Sequence, residues 1–243
     1  MQRFFDLHSH MLCGVDDGAK TADEMFAMLE AAYRDGVRAL CLTPHYSPYH
    51  FGNTFEKSEK SFALLQAYVA EHYPDMKLFL GNELGYHHNA LAALDSGECR
   101  TINKSRYVLM DFPEAVDFFE LQTAVERLQR AGYIVILAHT ERYRCLFHEF
   151  RWIESFVDEG GVVQVNASSC VGSWGKGAEK QWKKLLRKGL IHIISSDGHN
   201  LTSRQPLMSV CMPFLQKHCH EEYINHIVWE NACRVVSDRM IEF

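Results

Sequence analysis

Two histidines two residues apart lie at the end of a short apolar segment near the N-terminus. Residues 4–7 are largely apolar or β-prone and predict a strand that runs directly into His8 and His10. Because residues two apart on a strand face the same side, both imidazoles can point at one ion. Asp16 and Asp17 follow in a turn and add two carboxylates. Imidazole and carboxylate are typical ligands of divalent Zn, Mn and Fe, although His-x-His also arises by chance in a chain with 14 histidines.

The segments that must position these ligands alternate between strand-like and helix-like patterns. Residues 21–35 predict a helix whose first turn is a capping box of Thr21 and Glu24, and Gly36 ends it. Seven strand–helix alternations without a long linker predict a parallel sheet with right-handed crossovers, in one α/β domain of residues 1–243. The further predicted strands are residues 37–43, 77–80, 106–110, 133–138, 162–165 and 191–195. The further predicted helices are residues 51–73, 119–130, 149–159 and 178–188, before a mostly helical remainder.

Nearly every predicted strand is followed, at its C-terminal end, by His, Asp, Glu or Asn. In a closed α/β barrel those ends converge on one face, where active sites lie. This pattern favours a metal centre with more ligands than one tetrahedral ion can use. Two or three ions that share carboxylates would use them all, with Glu83 as a natural bridge. The predicted ligands are His8, His10, Asp17, His45, Glu83, Asp111, His139, Asp197 and His199.

Clustered divalent ions indicate a class of reaction as well as a site. One ion can generate a hydroxide from water while its neighbours hold the phosphoryl oxygens and stabilise the leaving oxygen. Each ion also lowers the pKa of its bound water towards neutrality, so no separate strong base is required. The pattern therefore suits the hydrolysis of phosphate esters.

The composition is ordinary for a soluble globular protein and argues against several classes of function. The chain has 243 residues, 47% hydrophobic and 23% charged, and its net charge of −6 argues against nucleic-acid binding. Acidic and histidine residues interrupt the N-terminus, so it does not resemble a signal peptide, and no apolar run is long enough for a membrane helix. The 8 cysteines include no CxxC pair, so we expect reduced thiols and a cytoplasmic location.

Six short motifs, DLHSH, DDG, TPH, GNE, AHTERY and SSDGHN, occur in this order over essentially the whole chain. Together they resemble the polymerase-and-histidinol-phosphatase superfamily, and within it the manganese-dependent protein-tyrosine phosphatases of bacterial capsule and exopolysaccharide loci. The resemblance implies a distorted seven-stranded (β/α) barrel with a trinuclear metal centre. It also implies one ion on His8, His10, Glu83 and Asp197, a second on Glu83, Asp111 and His139, and a third on Asp17, His45 and His199.

The resemblance names Mn²⁺ as the cofactor, while the ligand types are also compatible with Fe, Zn or Co. Similar proteins tend to have Glu where Asp111 stands, and the shorter side chain would weaken or move the second ion. Arg142 and Arg204 lie just beyond two ligand motifs. The resemblance implies that both bind the substrate phosphate, for which their planar forks of donors are suited. Asn166 either supports the site or ends a strand.

Other residues near the motifs are predicted to have less direct roles. Ser195 and Ser196 are expected to pack in the barrel and form supporting hydrogen bonds rather than to act as nucleophiles. His50, His87 and His88 are expected to be solvent-exposed residues in loops on the active face, where they could shape substrate access.

A second phosphatase chemistry is suggested by Cys145 and Arg151, which have the Cys-x5-Arg spacing of cysteine-based tyrosine phosphatases. That chemistry needs a phosphate-binding loop of backbone amides, usually rich in glycine, that leads into a helix. The stretch contains no glycine, and the charge of Glu149 within it would repel phosphate. We therefore predict a surface turn into a helix with no catalytic role.

Three other functions fit parts of the pattern. A small-molecule phosphatase of the histidinol-phosphate type would share the ions, but such proteins usually have a longer chain with loops that enclose the substrate. A metal-dependent nuclease should show a basic groove, and a non-catalytic metal-binding domain should have lost ligands. The resemblance implies, as partner, the phosphotyrosine-rich tail of a bacterial tyrosine kinase. The oligomeric state is left open.

Overall fold

Seven strand positions form the centre of the fold, and two of them are interrupted. The computed structural model describes residues 3–51 and 54–241, and within these residues the pairs of neighbouring strands are parallel. The strands are β1 Phe4–Asp6, β2 Val37–Leu42, β3 His45–Tyr46, β4 Lys77–Leu80, β5 Glu83–Gly85, β6 Tyr107–Asp111, β7 Ile134–Leu137, β8 Val162–Asn166 and β9 Ile193–Ser195.

Two hydrogen-bonded sheets join into a distorted barrel. The smaller sheet has the order β1-β2-β4, and the larger has the order β3-β5-β6-β7-β8-β9. β3 follows β2 after Pro44, and β5 follows β4 after Gly81 and Asn82, so each interrupted pair fills one strand position. The first and last positions meet where Ser9 forms a parallel bridge with Gly198. The predicted α/β architecture, a distorted barrel of seven parallel strand positions, is confirmed.

The interruptions correct one expectation from the sequence. The pattern places His45 and Glu83 just beyond the ends of unbroken strands, but each residue begins a new short strand. Pro44 has no N–H to continue the hydrogen-bond ladder, and its carbonyl accepts from the Glu83 N–H at 3.2 Å. A Cβ at Gly81 would lie 2.8 Å from Ile102 Cδ1 and 3.2 Å from Ile102 Cα, so a side chain there would force Ile102 to shift. The restart makes His45 and Glu83 direct partners in register across β3 and β5.

Helices connect the strands and pack around the barrel. Their bounds are α1 Ala22–Asp35, α2 Phe55–His72, α3 Ala90–Ser96, α4 Phe118–Arg130, α5 Phe150–Asp158, α6 Gly175–Arg187, α7 Met212–His218, α8 Glu221–Asn225 and α9 Asn231–Val236. A π-helical turn, His226–Glu230, joins α8 to α9. No helix within residues 3–51 and 54–241 is both long and apolar enough to cross a membrane.

Several predicted boundaries differ from the structure. The short helix α3 was not predicted, and α6 begins at Gly175, three residues before its predicted start. The helix predicted from residue 51 begins at Phe55, and residues 52 and 53 lie outside the described residues. Residues 200–208 lie in the part predicted as mostly helical, but they form no helix: residues 201–204 and 208 are bends and the others are irregular. Asn200 Oδ1 explains these bends, since it accepts the backbone N–H groups of residues 202–204 in place of a helical carbonyl.

An apolar cluster fills the barrel below the polar strand ends. Phe5 and Leu7 of the first strand segment belong to it, and so do Ala232 and Val235 of α9. Tyr107, at the start of β6, also joins the cluster and donates its hydroxyl hydrogen to the Arg239 carbonyl at 2.8 Å. The C-terminal segment therefore closes the end of the barrel where the strands begin. The opposite end is left for polar side chains.

We expect Thr21→Ala to destabilise the protein by about 1 kcal/mol, because it removes the N-cap of α1. Thr21 Oγ1 accepts the Glu24 N–H at 3.2 Å, as predicted. The Glu24 carboxylate binds the N–H of Lys20 at 2.6 Å rather than that of Thr21, so the predicted capping box is shifted by one residue. Denaturant unfolding would measure the loss, and Thr21→Ser should retain most of the stability. Equal stability of the Ala variant and the parent would contradict a role for the cap.

Candidate metal centre

Glu83 lies at the centre of the polar end of the barrel and is buried. Its carboxylate oxygens lie 3.2 Å from Nε2 of both His8 and His10. They also lie 2.8 Å from Nδ1 of His45 and 3.0 Å from Nε2 of His139. Imidazoles from three separate strand positions thus converge on one carboxylate.

All the ligands predicted from the sequence lie in or beside this cluster. Asp111, the position where a Glu was expected, reaches His139 Nε2 at 3.4 Å despite its shorter side chain. Three groups of ligand atoms have all their members within 4.8 Å of one another. These groups are His10, Asp17, His45 and His199, then His8, His10 and Asp197, and finally His45, Glu83 and Asp111.

The two carboxylates of the turn after the first strand have different contacts. Asp16 Oδ2 accepts a hydrogen bond from His10 Nδ1 at 2.8 Å and another from the His45 N–H at 2.9 Å. Asp17 Oδ1 instead lies 3.4 Å from His45 Nε2 and 3.3 Å from His199 Nε2. Asp16 therefore orients a histidine, whereas Asp17 faces the space where an ion can bind. Asp16 was not among the ligands predicted from the sequence, and its orienting role was not predicted either, because two adjacent acids in a turn carry no signal that separates them.

A chain of amide side chains supports the cluster from β8. Gln164 Oε1 accepts from His8 Nδ1 at 3.2 Å and from the His139 N–H at 2.8 Å. Gln164 Nε2 donates to Asn166 Oδ1 at 3.1 Å, and Asn166 Nδ2 donates to Asp197 Oδ2 at 2.8 Å. Of the two alternatives for Asn166, the supporting role is therefore the one that the geometry favours. Gln164 was missed, because a single Gln in an apolar strand looks like part of the core.

The histidine contacts leave nitrogen atoms free to bind an ion. His8, His10 and His199 each place Nδ1 against an oxygen of a neighbouring residue, at 3.2, 2.8 and 2.9 Å. When these rings are neutral, as metal ligands must be, the contacts favour the tautomer in which Nδ1 carries the hydrogen and Nε2 can present its lone pair to an ion. Nε2 of His199 is buried and makes no hydrogen bond of good geometry among the described residues, although Asp17 Oδ1 lies 3.3 Å from it. Buried polar atoms normally have a partner, and a bound ion would provide one here. Imidazole nitrogen and carboxylate oxygen are ligands that suit divalent metal ions.

Burial and opposite charge act against each other in the cluster. Burial alone would raise the pKa of the Glu83 carboxyl, but the nearby imidazoles, His8 first, hold that pKa well below its usual range. Burial alone would lower the pKa of His8, but the Glu83 and Asp197 carboxylates raise it to about 9. For His199, burial and the nearby His10 lower the pKa to about 4. The buried carboxylates thus require positive charge beside them, which divalent ions can supply.

Two of the predicted ligands have a strained backbone. His139 has a φ of 32° and Asp197 has a φ of 52°, in the left-handed region that side chains other than glycine rarely adopt. Each such residue costs on the order of 1–3 kcal/mol and persists only where its surroundings fix it. Gln164 binds the His139 N–H, and the His8 carbonyl accepts the Asp197 N–H at 3.0 Å. Strain of this kind is typical of functional sites.

Arg142 and Arg204 approach the cluster at Asp197 and share one aromatic platform. Arg204 Nη2 donates to both oxygens of Asp197, at 2.8 and 2.9 Å, and Arg142 Nη1 lies 3.5 Å from Oδ2 of the same carboxylate. The guanidinium carbons of Arg142 and Arg204 lie 3.9 and 5.3 Å from the ring centroid of Trp174. Trp174 precedes α6, and the sequence analysis missed it because a single Trp in a loop carries no signal of a site.

The serines near the last strand have the structural roles that were predicted. Ser195 Oγ accepts the Leu7 N–H at 3.3 Å. Ser196 donates both its hydroxyl and its N–H to Asp6, at 2.5 and 2.9 Å. These bonds tie the first strand to the loop after the last strand and hold the barrel closed beside the ligands.

The loop histidines match the expectation only in part. His50 and His88 are exposed, as predicted. His87 is half-buried, which corrects the prediction of a solvent-exposed side chain. Its ring centroid lies 5.9 Å from that of Tyr46 and 6.0 Å from that of Tyr49, because the loops after β3 and β5 pack against each other.

Cys145 lies in a 3-10 turn, Arg144–Phe147, that leads into α5, as predicted. Burial raises the pKa of its thiol, and the carboxylates of Asp117 and Glu149 add to that rise. A catalytic cysteine needs a lowered pKa so that the thiolate forms near neutral pH. The environment of Cys145 acts in the opposite direction.

The chain also matches known proteins over most of its length. The family model for capsular polysaccharide synthesis proteins of the CpsB/CapC type matches residues 4–237. The chain belongs to the CpsB/CapC family. The family predicted from the sequence motifs is therefore confirmed.

Individual CpsB/CapC proteins match over most of their length. Tyrosine-protein phosphatase CpsB of Streptococcus pneumoniae is 29% identical over 241 residues, which cover 97% of this chain and 99% of that protein. Putative tyrosine-protein phosphatase CapC of Staphylococcus aureus is 30% identical over 200 residues, covering 82% and 78%. A crystal structure from a study of YwqE from Bacillus subtilis and CpsB, described as metal-dependent tyrosine phosphatases, superposes with a TM-score of 0.86 at 25% identity, covering 98% of this chain and 96% of the other.

We expect Asp16→Asn to weaken divalent-metal binding by about 10- to 100-fold, because His10 would lose the carboxylate that orients it. Calorimetric titration with Mn²⁺ would measure the change, and a melting curve would check that the variant folds. Asp23→Asn, an exposed acid on α1, is the matched control and should bind as the parent does. An Asp16→Asn variant with the affinity of the parent would contradict the orienting role.

Proposed function

We propose that this protein is a metal-dependent phosphomonoester hydrolase that removes phosphate from phosphotyrosine in proteins. The observation that carries the proposal is the buried Glu83 carboxylate with four imidazoles within 3.2 Å of it, together with two arginines that contact Asp197 of the same cluster. The printed names of its CpsB and CapC relatives, tyrosine-protein phosphatases, support the same activity.

The residues proposed to hold metal ions are those predicted from the sequence. One ion would bind at His8, His10, Glu83 and Asp197, a second at Glu83, Asp111 and His139, and a third at Asp17, His45 and His199. When bound, divalent ions supply Lewis acidity, which activates water for attack on phosphorus and neutralises charge on the phosphoryl oxygens. Mn²⁺ is the proposed metal, and Fe, Zn or Co would suit the same nitrogen and oxygen donors.

The protein's own contribution is to bind and orient the phosphoryl group. Arg204 and Arg142 would form charge-assisted hydrogen bonds to its oxygens, since a guanidinium presents several donors in one plane. Arg204 Nε is buried and has no hydrogen-bond partner among the described residues, so a donor is available. Trp174 would hold both guanidinium groups in place through its ring face.

The proposed partner is the phosphotyrosine-rich tail of a bacterial tyrosine kinase that controls polysaccharide export. The family's connection with capsular polysaccharide synthesis supports this choice. A cytoplasmic location is proposed with it, since such a tail would be reached there. The free state of the 8 cysteines is compatible with that location.

We expect chelator-treated protein to lose hydrolysis of p-nitrophenyl phosphate and of a phosphotyrosine peptide, and to regain both when Mn²⁺ is added. The reason is that water activation and charge neutralisation depend on the ions. Release of inorganic phosphate would be measured for each substrate. Metal-dependent turnover of p-nitrophenyl phosphate without peptide turnover would instead indicate a small-molecule phosphatase.

Three variants separate the metal mechanism from a cysteine mechanism. His139→Ala and Asp197→Ala should abolish turnover while the barrel still folds, which circular dichroism would verify. Cys145→Ser should keep the rate of the parent, because Cys145 belongs to neither the cluster nor the arginine pair. Activity that survives chelation and is lost in folded Cys145→Ser would overturn the metal mechanism.

We expect Trp174→Ala to raise KM by about three- to tenfold, because both arginines lose a cation–π contact worth about 0.5–2 kcal/mol. The value of kcat should fall less than kcat/KM, and the inhibition constant for inorganic phosphate should rise in parallel with KM. Trp174→Phe keeps an aromatic face and should restore part of the affinity. Unchanged phosphate inhibition in Trp174→Ala would contradict the role of the indole.

A further inference from the structure

The metal cluster adjoins a cavity that none of the roles above uses. This cavity has a volume of about 250 Å³ and touches the cluster at His45 and Asp111. We call it the aromatic cavity. The aromatic rings and imidazoles that line it are those of His45, Tyr49, His50, Phe51, Tyr86, His87 and Phe112.

The aromatic cavity differs in charge from the arginine side of the site. Asp111 is the single carboxylate among its described lining residues, which include no lysine or arginine. Burial, together with the nearby His88, lowers the pKa of His87, so that ring is neutral at neutral pH. A separate cavity of about 240 Å³ contains Arg142 and Trp174 and shares no lining residue with the aromatic cavity. One recess is therefore mainly aromatic, whereas the other has two arginines, Arg142 and Arg144, and one carboxylate, Glu114.

The rings of the aromatic cavity are already arranged by contacts with one another and with the cluster. Phe51 lies parallel to the ring of His45, with centroids 5.3 Å apart and an interplanar angle of 5°. The centroids of Tyr86 and Phe112 are 5.4 Å apart. Tyr49 is 69% exposed, so the wall of the cavity is open to a ring that arrives from solvent.

We propose that the aromatic cavity binds the aryl group of a phosphate ester whose phosphoryl group lies on the metal cluster. Phosphotyrosine, the substrate of the proposed function, is one such ester; the inference rests on that function and adds the place where the ring would bind. In such an ester a single oxygen joins the ring to phosphorus, so the ring must lie directly beside the groups that hold the phosphoryl oxygens. The aromatic cavity touches two of the proposed ligands, which places it at that distance.

Size and packing agree with this occupant. An apolar cavity of about 150 Å³ is enough to bind benzene, and the aromatic cavity is larger than that. Aromatic pairs prefer offset or edge-to-face contacts, which rings on several sides of the cavity can offer. The alkyl group of a phosphoserine or a glycerol phosphate would leave these faces without a partner. The cavity thus favours aryl over alkyl esters in binding, apart from any difference in the leaving group.

Non-hydrolysable phosphonates test the inference through binding alone, because the protein cannot turn them over. We expect the Mn²⁺-loaded protein to be inhibited more strongly by phenylphosphonate than by methylphosphonate. Tyr86→Ala should weaken inhibition by phenylphosphonate about fivefold and change inhibition by methylphosphonate by less than about twofold. Tyr86→Phe should retain the affinity of the parent for phenylphosphonate. Calorimetric binding of the same two phosphonates gives a readout that does not depend on turnover.

Two further variants at exposed residues show whether an effect comes from the aromatic cavity or from a general loss of structure. Tyr49→Ala alters an exposed residue and should show a smaller loss in the same direction. Phe119→Ala, an aromatic residue on α4 that is 74% exposed and does not line the cavity, should change neither constant. If metal-dependent hydrolysis is present but Tyr86→Ala and Tyr49→Ala affect both phosphonates alike, the inference alone is wrong. If the parent hydrolyses no phosphate ester with Mn²⁺, the proposed function fails first.

Discussion

One buried carboxylate, Glu83, lies against four imidazoles, and the rest of the structure is arranged to make that contact tolerable. A carboxylate removed from water is strongly unfavourable unless opposite charge and hydrogen-bond donors replace the water. The imidazoles of His8, His10, His45 and His139 come within 3.2 Å of its oxygens. None of these rings could be brought there by local sequence alone. The barrel is what gathers them, because its strand ends meet on one face.

Two neutral side chains on β8, Gln164 and Asn166, hydrogen-bond to the charged groups of the cluster. Gln164 and Asn166 connect His8, His139 and Asp197 through side-chain amides, and no further formal charge is needed. Gln164 also accepts the N–H of His139, whose backbone is left-handed, and the His8 carbonyl accepts the N–H of Asp197, whose backbone is left-handed too. The energy required for that backbone must come from the packed barrel, whose lower half is filled with apolar side chains. The apolar packing in the half of the barrel where the strands begin thus compensates for the strained backbone at His139 and Asp197 in the other half.

The sequence predicted much of this arrangement, for reasons that the structure makes clear. Strand ends carry a signal because apolar runs stop where polar ligands begin, so the barrel and the positions of residues such as His139 and Asp197 could be predicted. The interruptions at Pro44 and Gly81 could not, because a strand of two or three residues has no periodicity to detect. The separate roles of neighbouring Asp16 and Asp17, and the aromatic support from Trp174, depend on side-chain contacts that no sequence spacing encodes.

The predicted ligands also differ in how deeply they are buried, and burial slows the exchange of a bound metal ion with the solvent. The side chain of Asp17 is 47% exposed, whereas those of Glu83 and Asp197 are 1% exposed. If ions occupy the proposed positions, an ion on Asp17 would exchange with the surrounding water far faster than one held between Glu83 and Asp197. The inner position would then retain the metal present when the chain folded, while the outer position would follow the current supply. If the metal supply changed after folding, different ions would then occupy different depths.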